Sequence, residues 1–530
     1  MSILPVPEPV WRASAGLDMR VLDPAMGDLG GEGTVGARGP ERSGHLCKHG
    51  CLVGPQVEHA IRVHHVDGLV GRQDLFDHAM QELDVLDARV DICVIKLVVV
   101  LLPSSSSALP PTLGRPGRGR IVAAMATRIV ADVLIPGRGE PIDHGTVVMD
   151  SGSIDYAGPT AGAPAAALDD ITVEAPVVMP GLWDCHTHFI GMATSNFEAL
   201  ATVDLVGSAA RAVEDAGKVL DGGITSVRDV GGIGLRLAPV VAEGRMRGPH
   251  IYGAGRILST TGGHGDIHSL PLDFAHELTC NTGLSILCDG VPEVLKAVRT
   301  NLRANAKLIK ICASGGVMSE IDHPMHQQFS DEELSAIVAE AARAERIVAA
   351  HCHGKAGIMA ALRAGVHSVE HGSFLDEEAA DLMVEQGTWL VPTRYVNEAL
   401  LQQSENLPRY VYEKGQMVSG VHEQAMKIAI AKGVKIATGC DIFVSGQMYG
   451  TGTLEVMHLI NAGMTDLEAI EAATANGPET LGPQAPRSGQ LQPGFDADVI
   501  TMDASPLDDR SVWGDPDRVT GVWQLGTRRK

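Results

Sequence analysis

Pro180-Gly181-Leu182-Trp183-Asp184-Cys185-His186-Thr187-His188 is the stretch on which the reading of the fold turns. It leaves a Pro-Gly break and runs through apolar residues to a His-x-His pair, the pattern of a short strand entered from a turn. Alternate side chains of a strand share a face, so His186 and His188 point together and can grip one cation, while Cys185 and Thr187 point the other way. Alone, the pair is a weak signal: 21 histidines in 530 residues produce about one such spacing by chance. His351-Cys352-His353 is a second instance.

Outward from Leu182–His188, seven more strand-like runs follow: Thr225–Val230, Ile251–Arg256, Leu308–Ala313, Ile347–His353, Ser368–His371, Trp389–Thr393 and Lys435–Gly439. Helical patterns separate most of them. Ser330 with Glu333 and Thr465 with Glu468 form two capping boxes, and Leu334, Ile337, Val338, Ala341 and Ala342 form one apolar stripe. Strands alternating with helices predict an α/β fold, a parallel (β/α)₈ TIM barrel over residues 181–484. The stretch from Ile257 to Ala306 exceeds a simple crossover and has room for a lid. Strand signals at Arg128–Ile135, Gly145–Asp150, Ala497–Met502 and Gly521–Leu525 predict a small β-sandwich assembled from residues 125–180 and 485–530.

Residues 1–124 carry no sustained period, with a serine run at Ser104–Ser107 and a Pro/Gly/Arg-rich stretch after it. Two readings stay open: a disordered extension, or sequence upstream of a start at Met125. Cys47-Lys48-His49-Gly50-Cys51, near His45, has no second ligand pair at finger spacing, so it reads as chance.

Lys plus Arg total 42 against 65 for Asp plus Glu, a formal net charge of −23. Such a surface repels phosphate backbones, so no nucleic-acid partner is expected. Apolar residues at 45% are ample for a large core, and 61 glycines suit tight turns. The nine cysteines have no disulfide-framework spacing and point to a reducing, cytoplasmic setting. The N-terminus lacks a basic segment followed by an apolar one, so no signal peptide is expected. Ile92–Leu102, the longest apolar run, is about half a membrane span and contains Lys96, so neither a membrane helix nor a membrane partner is expected.

Further candidates fall at strand ends: Lys310, His351, His371 and Asp441. In a (β/α)₈ barrel these ends gather at the mouth that carries active sites. Lys310 sits mid-strand, where a buried ammonium is costly and its pKa should fall. A neutral amine can add carbon dioxide, and the resulting carbamate can bridge two cations. The alternative is a lysine whose head reaches solvent; the neighbouring histidines favour the carbamate. Cys185 and Cys352 face away and read as packing residues. Cys312 shares the face of Lys310.

Together these residues resemble the amidohydrolase superfamily, and more narrowly its imidazolonepropionase-related branch, with Xaa-Pro dipeptidases and ochratoxinase-like amidohydrolases. The motifs are Pro180–His188, Gly223–Asp229, Thr261-Gly262-Gly263-His264-Gly265-Asp266, Ile309-Lys310-Ile311 with Ser314-Gly315-Gly316, Val369-Glu370-His371-Gly372, and Pro493–Asp498. The resemblance covers residues 126–530. It implies two divalent metal ions, zinc expected, one held by His186, His188 and Asp441 and the other by His351 and His371. Lys310 would bridge them as N6-carboxylysine. It also implies a shared hydroxide as nucleophile, Asp441 as proton carrier, and His353 at the substrate carbonyl or its oxyanion. His264 is expected near the substrate, and Arg228, Arg394 and Tyr395 are candidates for a substrate carboxylate.

The expected activity is hydrolysis of an amide bond in a dipeptide or an N-acyl amino acid, as in Xaa-Pro dipeptidases or ochratoxin A amidases. The alternatives are an imidazolonepropionase-like cyclic amidase or deaminase, and a non-catalytic scaffold of the same fold. A homo-oligomer is compatible with the chain.

Overall fold

The computed structural model describes residues 126–402, 405 and 407–530. The readings made on residues 1–124, including the Cys47–Cys51 loop, lie outside these residues.

Both flanks of the described chain contribute to one sheet. Its strands are β1 (Thr127–Leu134), β2 (Ile142–Asp150), β3 (Ser153–Pro159), β4 (Ile171–Pro180), β16 (Val499–Met502), β17 (Val519–Gln524) and β18 (Thr527–Arg528), in the order β18-β17-β16-β4-β1-β2-β3. The seam between the flanks is β4 with β16, antiparallel, Met179 facing Ile500. One face collects Ile129, Val147, Met149, Val178, Val499 and Trp523. Removing each aliphatic side chain from water contributes roughly 1.5–3 kcal/mol. The flanks, from which the sequence reading built a sandwich, thus meet in one seven-stranded sheet.

The remaining strands are β5 (Leu182–Met192), β6 (Ile224–Asp229), β7 (His250–Gly253), β8 (Ile257–Ser259), β9 (Ser285–Leu287), β10 (Ile309–Cys312), β11 (Val348–Cys352), β12 (Ser368–His371), β13 (Trp389–Val391), β14 (Lys435–Ile436) and β15 (Ile442–Val444). They form two parallel sheets, β15-β5-β6-β7 and β14-β13-β12-β11-β10-β8-β9. Parallel neighbours need crossovers. Helices Leu205–Asp221, Asp331–Arg343, Lys355–Ala364 and Glu377–Gln386 supply four of them. Backbone bonds also run from the four-stranded sheet to residues that flank strands of the other: Lys307 N donates to Gly253 O (2.9 Å) and Cys185 N to Thr438 O (2.9 Å).

Both capping boxes form, Ser330 with Glu333 and Thr465 with Glu468. Leu334, Ile337 and Ala341 are buried, whereas Ala342, placed in the same stripe from sequence, is exposed. Strand limits also differ from the sequence reading in several places. β7 stops at Gly253 and β14 at Ile436. β5 runs on to Met192, because β15, not foreseen, pairs along Thr187 to Met192. The long stretch after Ile257 contains β8, β9 and helices Leu272–Thr282 and Gly290–Arg303. Among the described residues, no helix is long and apolar enough to cross a membrane.

Candidate metal centre

β5 delivers His186 and His188 side by side, as strand alternation requires, with both buried. Each has one ring nitrogen committed. His186 Nδ1 lies 2.8 Å from Glu370 Oε2, and His188 Nδ1 lies 2.9 Å from the Gly231 carbonyl. Both partners accept, so both Nδ1 atoms carry the proton and both Nε2 lone pairs face the other way, that of His186 toward Lys310 Nζ. Asp441 Oδ1 stands 3.5 Å from His186 Nε2 and 3.2 Å from His188 Nε2. Asp184 ties the two segments together, its Oδ1 accepting from His186 N and Cys440 N at 3.0 Å each.

A second group forms where β11 and β12 end. His351, His353 and His371 present ligand atoms within 4.8 Å of one another, as do His186, His188 and Asp441. The ring centroids of His186 and His371 are 4.9 Å apart, so the two groups adjoin. His351 Nε2 lies 3.2 Å from the Gly315 carbonyl, which frees its Nδ1. His371 Nδ1 meets Thr393 Oγ1 at 2.7 Å, and His371 Nε2 is buried with no partner. Lys310 is 2% exposed, its Nζ 3.1 Å from His186 Nε2. The six ligand candidates therefore converge, and His353 joins the second group.

Burial decides the charge states here. It pushes the imidazoles of His186 and His353 down to about 4 and about 3, and those of His351 and His371 well below their ordinary value. Burial also lowers the Lys310 amine. It works against the Asp441 carboxylate, yet His186 and His188 hold that group down to about 2. At neutral pH these four imidazoles are neutral and the carboxylate is ionised, donors that suit zinc and similar cations. An orphaned ring nitrogen such as His371 Nε2 is what a metal would satisfy.

Comparison with known proteins agrees with this geometry. The profile of the amidohydrolase family matches residues 177–528. The chain belongs to the amidohydrolase family. This amidohydrolase is 43% identical over 421 residues to ochratoxinase of Aspergillus niger, covering 76% of this chain and 86% of that protein. The crystal structure of A. niger ochratoxinase superposes with a TM-score of 0.72 at 42% identity, covering 77% of this chain and 96% of that one. A Xaa-Pro dipeptidase with methionine bound in its active site gives 0.69 at 31% identity, covering 76% and 100%. An imidazolonepropionase of Methylobacterium nodulans is 29% identical over 48% of this chain and 65% of its own.

In this amidohydrolase the candidate carboxylate anchors lie elsewhere. Arg228 is fully buried, with Nη2 2.7 and 2.8 Å from the two Glu370 oxygens and Nε 2.6 Å from the Cys185 carbonyl. It braces Glu370, which orients His186. Burial opposes the Glu370 charge, but Arg228 and His186 hold its pKa well below the usual range. Arg394 donates to Glu398 (3.1 Å) and to the Ser419 carbonyl (2.9 Å), and Tyr395 Oη meets Thr451 Oγ1 at 2.6 Å. The structure brings none of the three to the cavities beside the metal ligands. His264 does reach the site: its ring stacks on His351 at 4.3 Å and lines both cavities. The larger cleft encloses about 980 Å³, open solvent included, between His188, His264 and Asp441 and an apolar wall that includes Phe197 and Phe443. Cys312 lines it, whereas Cys185 Sγ is turned toward the Gly477 carbonyl.

Glu370, Thr393, Ser373 and His422 escaped the sequence reading. Ser373 Oγ lies 2.9 Å from His353 Nδ1, and His422 Nε2 lies 2.9 Å from the His371 carbonyl. Glu370 alone had a signal. Like Lys310, it is a charge inside a buried strand.

Proposed function

We propose that this amidohydrolase hydrolyses an amide bond in a dipeptide or an N-acyl amino acid, at a centre built for two divalent metal ions, with zinc as the first candidate. The observation that carries this is the convergence of two donor groups, His186, His188 and Asp441 beside His351, His353 and His371, in one buried region. Two parallel sheets linked by backbone bonds at Gly253 and Thr438 support reading the strands as one (β/α)₈ barrel with this region at its mouth. The flanking seven-stranded sheet supports the companion β-domain.

His186, His188 and Asp441 would hold one ion and His351 and His371 the other. Lys310, its amine lowered by burial, is the residue to carry a bridging carboxylate after adding carbon dioxide. A metal pair supplies Lewis acidity and acidifies bound water. The chain's own groups do the rest. Asp441, ionised at neutral pH, accepts the proton of the attacking water and returns it to the leaving nitrogen. His353, held by Ser373, can donate to the oxygen on which charge develops. His264 forms one wall beside the substrate. The cleft beyond takes the larger substituent, and water is excluded by the apolar wall around Phe443.

The test joins metal content to a substrate screen. Loaded protein should carry close to two ions per chain and release an amino acid from members of a dipeptide and N-acyl amino acid panel. One ion per chain, with activity only on cyclic amides, would move the reading to the imidazolonepropionase type. Lys310→Ala should lose bound metal and turnover together and regain part of both with small carboxylic acids. Full activity in that variant would refute the carbamate.

A further inference from the structure

The loop from β10 to helix Asp331–Arg343 forms part of the cleft wall, through Met318, Ser319 and Glu320. It is tied down from outside. Lys414, on helix Arg409–Lys432, sends Nζ to the carbonyls of Ser319 (2.7 Å), Glu320 (3.4 Å) and Asp322, and lies 3.6 Å from Asp322 Oδ1. That oxygen is buried and makes no hydrogen bond of its own, so the ammonium is its charge partner. Asp322 Oδ2 in turn accepts from Gly316 N (2.9 Å) and Gln328 Nε2 (3.2 Å). Both ends of this network reach His264, one at its backbone and one at its ring. Gln328 Oε1 accepts from His264 N at 3.1 Å, and Ser319 Oγ lies 2.8 Å from His264 Nδ1. Gly316 packs flat on the same ring: a Cβ there would fall 2.1 Å from His264 Cε1.

We propose that Lys414 is a positioning residue for the reaction. It fastens the β10 loop into the cleft wall and, through Ser319, holds the His264 ring against His351. The inference rests on the functional reading above insofar as it predicts substrate binding. An ammonium is suited to the task because its three donors can serve several carbonyls and a carboxylate at once, and both partners are largely shielded, Lys414 at 12% and Asp322 at 5% side-chain exposure. Removing the donors leaves a buried carboxylate oxygen and three loop carbonyls without their partner, and the loop should open.

The test uses the full, metal-loaded chain with Lys414→Met, Lys414→Arg and Ser319→Ala. In Lys414→Met, hydrogen exchange should accelerate across residues 316–326 and metal content should hold. KM should rise about tenfold or more while kcat changes less, since the lost interaction serves binding. Lys414→Arg should restore most of the KM, because a guanidinium can also donate to these carbonyls. Ser319→Ala should reproduce the KM rise with the loop still protected. Unchanged exchange in Lys414→Met, metal loss in step with activity, or no recovery with arginine overturns the proposal. If Lys414→Met does not fold, an unchanged KM in Ser319→Ala does so. If no amide in the panel is turned over, the functional reading fails, and exchange still decides whether the latch exists.

Discussion

A buried imidazole can offer a cation only the nitrogen that its other contact leaves free. Glu370 settles that choice for His186, and Arg228 settles the position of Glu370. The chain from Arg228 to the ligand atom is short, and each member is buried. Glu370→Gln keeps an acceptor for His186 but strips Arg228 of its counter-charge. Metal affinity should drop about 10- to 100-fold, read by chelator competition; unaltered affinity would mean that Glu370 only fills space. At this scale the histidines proposed as metal ligands were legible because they repeat a chemical type at strand ends. Their supports were not, since Ser373, Thr393 and Ser319 are common residues whose role exists only through partners distant in sequence. The sign that gave Lys310 away, a charge inside a strand, was also carried by Arg228 and Glu370 and went unused there.

Elements place these residues by turning sharply where strands end. His371, Thr393 and Asp441 all have left-handed φ angles, +68°, +55° and +57°, a conformation that costs non-glycine residues and concentrates at functional sites. Under the site, Trp183 on β5 stacks on Tyr252 at 5.3 Å and packs against Gly477, where a Cβ would sit 2.4 Å from that of Trp183. Gly477→Ala should therefore destabilise by about 1–3 kcal/mol through overpacking, visible as a lower urea midpoint. A neutral outcome would show that helix Asn476–Glu479 can shift without cost. Strand alternation and capping chemistry made β5, β12 and both capping boxes readable. β15 was hidden because its three residues follow a strained turn and acquire strand geometry only by pairing with β5.

For the molecule as a whole, the buried ionisable groups make stability depend on pH in opposing directions. Burial takes His353 and His422 down to about 3. Between pH 6.5 and 3 the unfolded chain therefore binds protons that the folded chain refuses, so their contribution is complete above 6.5 and is lost as pH falls. Burial raises Asp184 to about 6 and Asp229 to about 7. Those groups hold protons when folded, and their contribution fades as pH rises from 3.8 to about 6 and about 7. In metal-stripped protein, His422→Gln should reduce the loss of stability below pH 6.5 by up to about 1.4 kcal/mol per pH unit, measured by urea unfolding from pH 7 to 5. Parallel curves for the two proteins would show that His422 takes up its proton while folded.

The pairing of β4 with β16 has a consequence for biosynthesis. On the ribosome, β4 emerges long before residues 499–502, and until they arrive its backbone presents open donors and acceptors to any other nascent chain. A nonsense mutation just before Val499 would spare every side chain assigned to the metals and still yield a product prone to aggregate, its wound an unzipped edge far from the chemistry.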